Sequence, residues 1–173
     1  MKILVASEKD IDELTQVEIK SKIDSIPECT EEYEIVFSSR LYRWQTYFTG
    51  QSPQTSKPER IVLKAVDNNQ IIGYIAGHLT TRYNLDAEIQ SFYVLKKEQR
   101  KNIGTKLLTE FLTWLTDMDA RSLCVGIKPE NKYKAFYLKY GGQFLNEHWI
   151  YWRDTDQLSE ILSILNDKNS PME

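Results

Sequence analysis

The segment from Ala87 to Leu115 constrains this chain more than any other. Ala87–Leu95 (AEIQSFYVL) is apolar and aromatic without Gly or Pro, the composition of a strand. A polar turn follows, Gln99-Arg100-Lys101-Asn102-Ile103-Gly104-Thr105. Ile103, Leu107, Leu108, Phe111, Leu112 and Leu115 then recur at three- and four-residue spacing, the pattern of an amphipathic helix. A short turn between a buried strand and a helix aims several free backbone N–H groups at one spot. The helix dipole adds positive potential there, so an anion such as a pyrophosphate can dock without a dedicated side chain. Gly104 leaves room for close approach, and Asn102 tolerates a left-handed backbone. A lone glycine at a helix start is also compatible with nothing more than a tight turn. Neither the Walker pattern nor G-x-G-x-x-G occurs, so two common phosphate loops are excluded.

The rest of the chain arranges itself around this unit. Ile3–Ala6 reads as a strand, Ser7 to about Lys22 as a helix carrying Ile11, Leu14 and Val17, and Ser25–Glu28 as a break. Thr30 is placed to cap a second helix through Tyr33, Phe37, Leu41, Trp44 and Phe48. Gly50–Glu59 is a polar loop with two prolines. Ile61–Val66 and Ile71–Leu79 form a hairpin across Asp67–Gln70, and Thr80–Asp86 leads into the strand that holds Glu88. Beyond the central helix come a strand at Leu123–Ile127 and a helix from about Asn131 to Tyr140, stopped by Gly141-Gly142. Short strands at Gln143–Leu145 and Trp149–Trp152 close the sequence, and residues 166–173 are expected to fray. The expectation is one α/β domain over residues 1–165: a mixed, mostly antiparallel central sheet flanked by helices, in the order β-α-α-β-β-β-α-β-α-β-β.

Charge and cysteine content remove other classes. A net charge of −3 argues against a nucleic-acid surface and is compatible with a cationic acceptor. Cys29 and Cys124 form no C-x-x-C, so neither a zinc site nor a disulfide framework is implied, and no metal is expected. The N-terminus enters Ile3–Ala6 directly, and no apolar stretch approaches ~18 residues, so a cytoplasmic protein is expected.

Gln99-x-x-Asn102-x-Gly104 resembles the Q/R-x-x-G-x-G/A signature of the GNAT acyltransferases, which bind acetyl-CoA. Phe136-Tyr137-Leu138-Lys139-Tyr140-Gly141 resembles the F-Y-x-x-x-G segment of the same superfamily, and the ordered match spans Arg60 to Arg153. Two departures stand out. Asn102 replaces the usual first glycine, and the Asn often found six residues before the Phe-Tyr pair is Glu130 here, with Asn131 one place late. The resemblance implies an N-acetyltransferase fold with acetyl-CoA as donor. Its pantetheine arm would pair with main chain from Tyr93 through Val94 to Leu95. Its phosphates would meet Gln99, Arg100, Lys101, Asn102, Ile103, Gly104 and Thr105, with Asn131 beside the arm.

Amine acylation needs deprotonation of the acceptor, a donor to the carbonyl oxygen and protonation of the leaving thiolate. Glu88 is the candidate base, directly or through water; burial would raise its pKa toward the working range. It lies eleven residues before Gln99, which matches the glutamate base of histone-acetylating members of the superfamily. Strand alternation would put Glu88, Gln90, Phe92 and Val94 on one face and Ile89, Ser91 and Tyr93 on the other. A surface ion pair or a substrate-orienting role is the alternative for Glu88. Tyr137 is the candidate acid, protonated at neutral pH, with core packing as the alternative. A backbone N–H around Val94 would hold the carbonyl oxygen. His78 falls beside Tyr74 and Ala76 by alternation, whereas His148 reads as a loop residue. Trp44, Trp114, Trp149 and Trp152 read as core or interface anchors, and Lys96-Lys97 with Arg100-Lys101 as a basic run at the turn.

The leading reading is an acetyl-CoA-dependent N-acetyltransferase acting on a primary amine by direct attack in a ternary complex. A non-catalytic acyl-CoA-binding module on the same fold is the alternative, and an interaction domain using the aromatic second helix a third. The acceptor, small molecule or peptide, is not readable. Neither nucleic acid nor membrane is expected as a partner, and homodimers are common among proteins the chain resembles.

Overall fold

A computed structural model describes residues 1–25 and 33–167. In chain order the elements are β1 (Lys2–Val5), α1 (Ile11–Ser25), α2 (Tyr33–Phe48), β2 (Ser56–Asp67), β3 (Gln70–Thr80), β4 (Ala87–Val94), α3 (Ile103–Asp117), β5 (Leu123–Gly126), α4 (Lys134–Lys139), β6 (Gln143–Asn146), β7 (Trp149–Trp152) and α5 (Thr155–Asp167). This is the expected order with one addition, α5. Its pattern is present in the sequence: Leu158, Ile161, Leu162 and Leu165 fall on one face. Asp154 caps its start by accepting from Asp156 N at 2.9 Å. The breaker at Ser25–Glu28, the Thr30 cap and Cys29 fall wholly or partly outside the described residues.

Seven strands form one mixed sheet in the order β1-β2-β3-β4-β5-β7-β6, in which only β4 and β5 run parallel. Asn68 (φ 48°) and Asn69 (φ 60°) close the β2–β3 hairpin in the left-handed geometry that two-residue hairpin turns require. β2 starts at Ser56, so the expected Gly50–Glu59 loop is shorter than its polarity suggested.

Helices cover both faces. α3 puts Leu107, Leu108, Phe111 and Leu115 fully inside, against Ile75 and Ile89 of the sheet and Leu158 and Leu162 of α5. Each such side chain contributes about 1.5–3 kcal/mol of burial. Gly77 on β3 is required here, because a Cβ at that position would overlap the Phe111 ring. On the opposite face Leu14 and Val17 of α1 and Trp44 and Tyr47 of α2 enclose Tyr74 and Ala76. His78 is fully buried on that same face, in contact with Tyr47, as alternation along β3 indicated. Cys124 is also fully buried, and burial pushes its thiol up to about 12. Among the described residues no helix is long and apolar enough to cross a membrane.

Asp86 ties the entry of β4 to β5. Its Oδ2 accepts from Arg121 N (2.9 Å), Ser122 N (2.9 Å) and Ser122 Oγ (2.8 Å). Burial pushes the Asp86 carboxyl up, but these donors outweigh it, and the net direction is down. A depressed carboxylate contributes stability above its unfolded value of about 4 and loses it as pH falls through the folded value. Asp86→Ala should therefore cost about 1–3 kcal/mol in urea denaturation at pH 7. At pH 3 the gap between variant and wild type should narrow.

Candidate active site

β4 and β5 pair at Ala87–Leu123, Glu88–Cys124 and Ile89–Val125, and there the ladder ends, although β4 continues to Val94. Where the strands part, a cleft of about 1580 Å³ opens, larger than the ~300–1,000 Å³ of ordinary small-molecule sites. Its walls are Phe92, Tyr93 and Val94 of β4, the turn into α3, Gly126 at the end of β5, and Phe136 and Tyr137 of α4.

A β-bulge sets what β4 shows to this cleft. Ala76 pairs with Ser91 but Gly77 pairs with Ile89, so Gln90 is an extra residue in β4. Strict alternation therefore fails. Ile89 shares the α3 face with Phe92 and Val94, and Tyr93 belongs with Tyr74 and the α1–α2 face. Glu88 faces His78, not the Phe92–Val94 side where alternation placed it.

The main-chain N–H groups at the mouth face the cleft. Leu95 N–H donates to Ile72 O (3.0 Å), so by ladder alternation the polar groups of Phe92 and Val94 point away from β3 into the cleft. Gln99 Nε2 donates to Val94 O at 3.0 Å and fastens the turn to the strand end. Arg100 (φ 62°) and Asn102 (φ 60°) are both left-handed, and Asn102 immediately precedes α3, as its turn chemistry indicated. The first helical hydrogen bond is from Lys106 N to Asn102 O, so the N–H groups of Ile103, Gly104 and Thr105 have no helical acceptor. Gly104 has no special φ, and a Cβ there would sit in ordinary contact with Phe136 (3.4 Å) and Phe92 (3.6 Å).

Lys22, Arg40, Lys96, Arg100, Lys128, Lys132 and Lys139 line the cleft, and among the described residues no carboxylate does. Ser21 Oγ and Arg40 Nε in this wall are buried without a hydrogen-bond partner. In a chain of net charge −3, such one-sided lining defines a site for a polyanion. Only Lys96 and Arg100 were singled out in the sequence. The others come from α1, α2 and the β5–α4 region, which no local pattern links. Trp149 and His148 also line the cleft, so Trp149 is a wall residue and not the simple core anchor its composition suggested.

Tyr93, Val94, Gln99, Arg100, Asn102, Ile103, Gly104, Thr105 and Asn131 all line the cleft. Asn131 does so despite its shifted place, and its Oδ1 accepts from Tyr133 N at 2.8 Å. Two expected cofactor residues are not in the wall. Lys101 turns outward to pair with Glu98 (2.9 Å), and Leu95 packs on the α1–α2 side. Tyr137 is 9% exposed, packed against Phe92, Phe136 and Trp152, and burial alone pushes its phenol above the usual range.

Glu88 sits apart from this lining. Its Oε2 accepts from Arg82 Nε (2.7 Å) and lies 3.7 Å from His78 Nε2. Tyr47 OH donates to Gly77 O (2.7 Å) and lies 3.3 Å from His78 Nδ1. The Arg82 guanidinium in turn stacks 4.6 Å from the Trp149 ring. Burial pushes the Glu88 carboxyl up, but the nearby His78 ring and the Arg82 hydrogen bond and charge pull harder, and the net direction is down. The sequence argument that burial would raise it toward the range of a base is thereby corrected.

The GNAT acetyltransferase family model matches residues 23–141, and the chain belongs to that family. Among solved structures the chain is similar to the PaiA N-acetyltransferase from Thermoplasma acidophilum in complex with coenzyme A. Identity is 19% and the TM-score 0.64, over 87% of this chain and 98% of that one. It is similar to a GNAT-family acetyltransferase from Staphylococcus aureus Mu50 at 14% identity and TM-score 0.68, over 89% and 98% of the two chains. For an aminoglycoside 6'-acetyltransferase type Ii the values are 17% and 0.63, over 88% and 96%. No curated protein matches at the sequence level.

Proposed function

We propose that this protein is an acetyl-CoA-dependent N-acetyltransferase that acylates a primary amine by direct attack in a ternary complex. The observation that carries the reading is the cleft at the β4–β5 parting, cationic throughout its charged lining and bordered by the free N–H groups of the α3 start. Those groups would hold the donor's phosphates, and the cleft edge of Val94 and Phe92 would pair with its amide-bearing arm. The structure of the Thermoplasma acidophilum protein with coenzyme A supports the donor class. In the reaction the amine nitrogen bonds to the thioester carbon, the C–S bond breaks, and the sulfur takes up a proton. A backbone N–H on the cleft edge, that of Val94 or Phe92, donates to the carbonyl oxygen as charge gathers there. The Tyr137 hydroxyl donates to the sulfur. Glu88, ionised at neutral pH, fixes Arg82 and through it Trp149; it is assigned a positioning role, and the amine reacts from its free-base fraction.

Acetyl-CoA should raise the melting temperature, because it binds the folded turn and not the unfolded chain. Gly104→Val should abolish that shift with the fold retained, since a branched side chain enters the phosphate approach and crowds Phe136. An unchanged shift in the variant moves the donor site elsewhere. Thiol release with an amine separates the enzyme from a module that only binds acyl-CoA.

A further inference from the structure

We propose that the acceptor is a small amino carboxylate, seated in a pocket between α1, α2 and the Gln90 bulge. This deepens the transferase reading and rests on it. The pocket, of about 80 Å³, shares Lys22 and Tyr93 with the large cleft, so the two spaces are neighbours across these residues. Glu18, Arg43, Trp44, Gln90 and Ser91 supply its other principal walls. The bulge places Gln90 there, on the opposite side of the strand from the α3 core.

Charge decides the acceptor's sign. The Glu18 carboxylate is already engaged by Lys22 Nζ (2.9 Å), Arg40 Nη1 (3.5 Å) and the Tyr74 hydroxyl (3.3 Å). Arg43 lines the same pocket from its exposed rim, and among the described residues no carboxylate pairs with it. A polycationic amine is repelled from such a site, and an amine with its own carboxylate is attracted. The chain's overall negative charge, which pointed to a cationic acceptor, is thus reversed locally.

Two polar atoms of residues that line this pocket point to the same chemistry. Trp44 is 4% exposed, and its Nε1 has no partner; Gln90 Oε1 is likewise buried and unpaired. One is a donor suited to a carboxylate, the other an acceptor suited to an amine N–H. Contacts with Tyr47 and Tyr74 at 6.0 Å and 5.2 Å between ring centroids hold the Trp44 indole in place. A pocket of about 80 Å³ suits a small polar head group such as that of an amino acid. Arg43 and Trp44 Nε1 receive the carboxylate, and Gln90 Oε1 orients the amino group toward the cleft. The amine nitrogen then forms the new C–N bond and loses its proton to solvent, while the C–S bond breaks and sulfur is protonated.

The test measures thiol release from acetyl-CoA with glycine, alanine and serine against methylamine, ethylamine and ethanolamine, with spermidine as the polycation. The amino acids should have kcat/KM roughly 10-fold or more above their decarboxylated partners. Arg43→Gln should raise KM for the amino acid roughly 10- to 100-fold, with KM for acetyl-CoA unchanged. Equal or better turnover of ethylamine or spermidine, or an Arg43→Gln variant with wild-type KM for alanine, overturns the acceptor assignment and leaves the transferase reading standing. Thiol release from none of these compounds, with acetyl-CoA still raising the melting temperature, also overturns the assignment. Thiol release from no member of a broad amine panel removes the transferase reading with it.

Discussion

Tyr137→Phe should bind acetyl-CoA with nearly normal KM yet turn over about 10- to 10³-fold more slowly, the range for one positioned acid. The ring keeps its contacts with Phe92, Phe136 and Trp152, so stability should change by about 1 kcal/mol or less. The hydroxyl matters once negative charge reaches sulfur, so kcat and kcat/KM fall together. Because burial raises the phenol's pKa, it stays protonated to pH 10 and above, and no basic limb below that pH should come from Tyr137. Complete proton transfer to a thiolate of pKa about 8.5 is uphill even from an ordinary phenol near 10, and burial makes it more so. A role as hydrogen-bond donor to sulfur, with the proton supplied by solvent, is the one this variant tests. A donor with a more acidic thiol should suffer a smaller penalty. A rise in donor KM with kcat intact would make Tyr137 a binding residue instead.

Glu88→Gln should lower kcat/KM on the order of 10²-fold, the cost of a small misplacement in a reacting site, and by the same factor from pH 6.5 to 9.5. A base would behave otherwise: its loss would shrink at high pH, where the amine is already neutral. Arg82→Ala should reproduce most of the loss, and the double variant should fall little further, because both act through Trp149. Stability provides a second readout. The Glu88 carboxyl is depressed, so its contribution is present above about pH 4.3 and is lost as pH falls through the folded value. Glu88→Gln should lack that acid-sensitive part of the wild-type profile. A pH-dependent loss of activity would restore Glu88 to the role of base.

The parts of this site that were legible in the sequence are the local ones. The α3 stripe from Ile103 to Leu115 and the left-handed Asn102 both follow from spacing and turn chemistry. Strand β7 is found at Trp149–Trp152 as its composition indicated. What failed depends on contacts between distant segments. Nothing in AEIQSFYVL marks Gln90 as the extra residue; the bulge exists only relative to Ala76 and Gly77 on the neighbouring strand. That Glu88 lies on a strand was legible, but the sign of its shift was not, because Arg82 and His78 reach it only in the folded sheet. The cationic lining joins Lys22 to Lys139 across most of the chain, a link no window of sequence contains.

The parting of β4 from β5 leaves a comb of main-chain groups whose alternate teeth face opposite ways. Tyr93 and Leu95 spend their amides on β3, while Phe92 and Val94 present theirs to the cleft. Solvent isotope exchange should resolve that comb one residue at a time. In the empty protein the Phe92 and Val94 amides should exchange fast between slow neighbours. A donor lying along the strand should slow these two and leave the Tyr93 and Leu95 amides as they were. Two backbone protons thus form a built-in occupancy gauge, readable without turnover and before any acceptor is known.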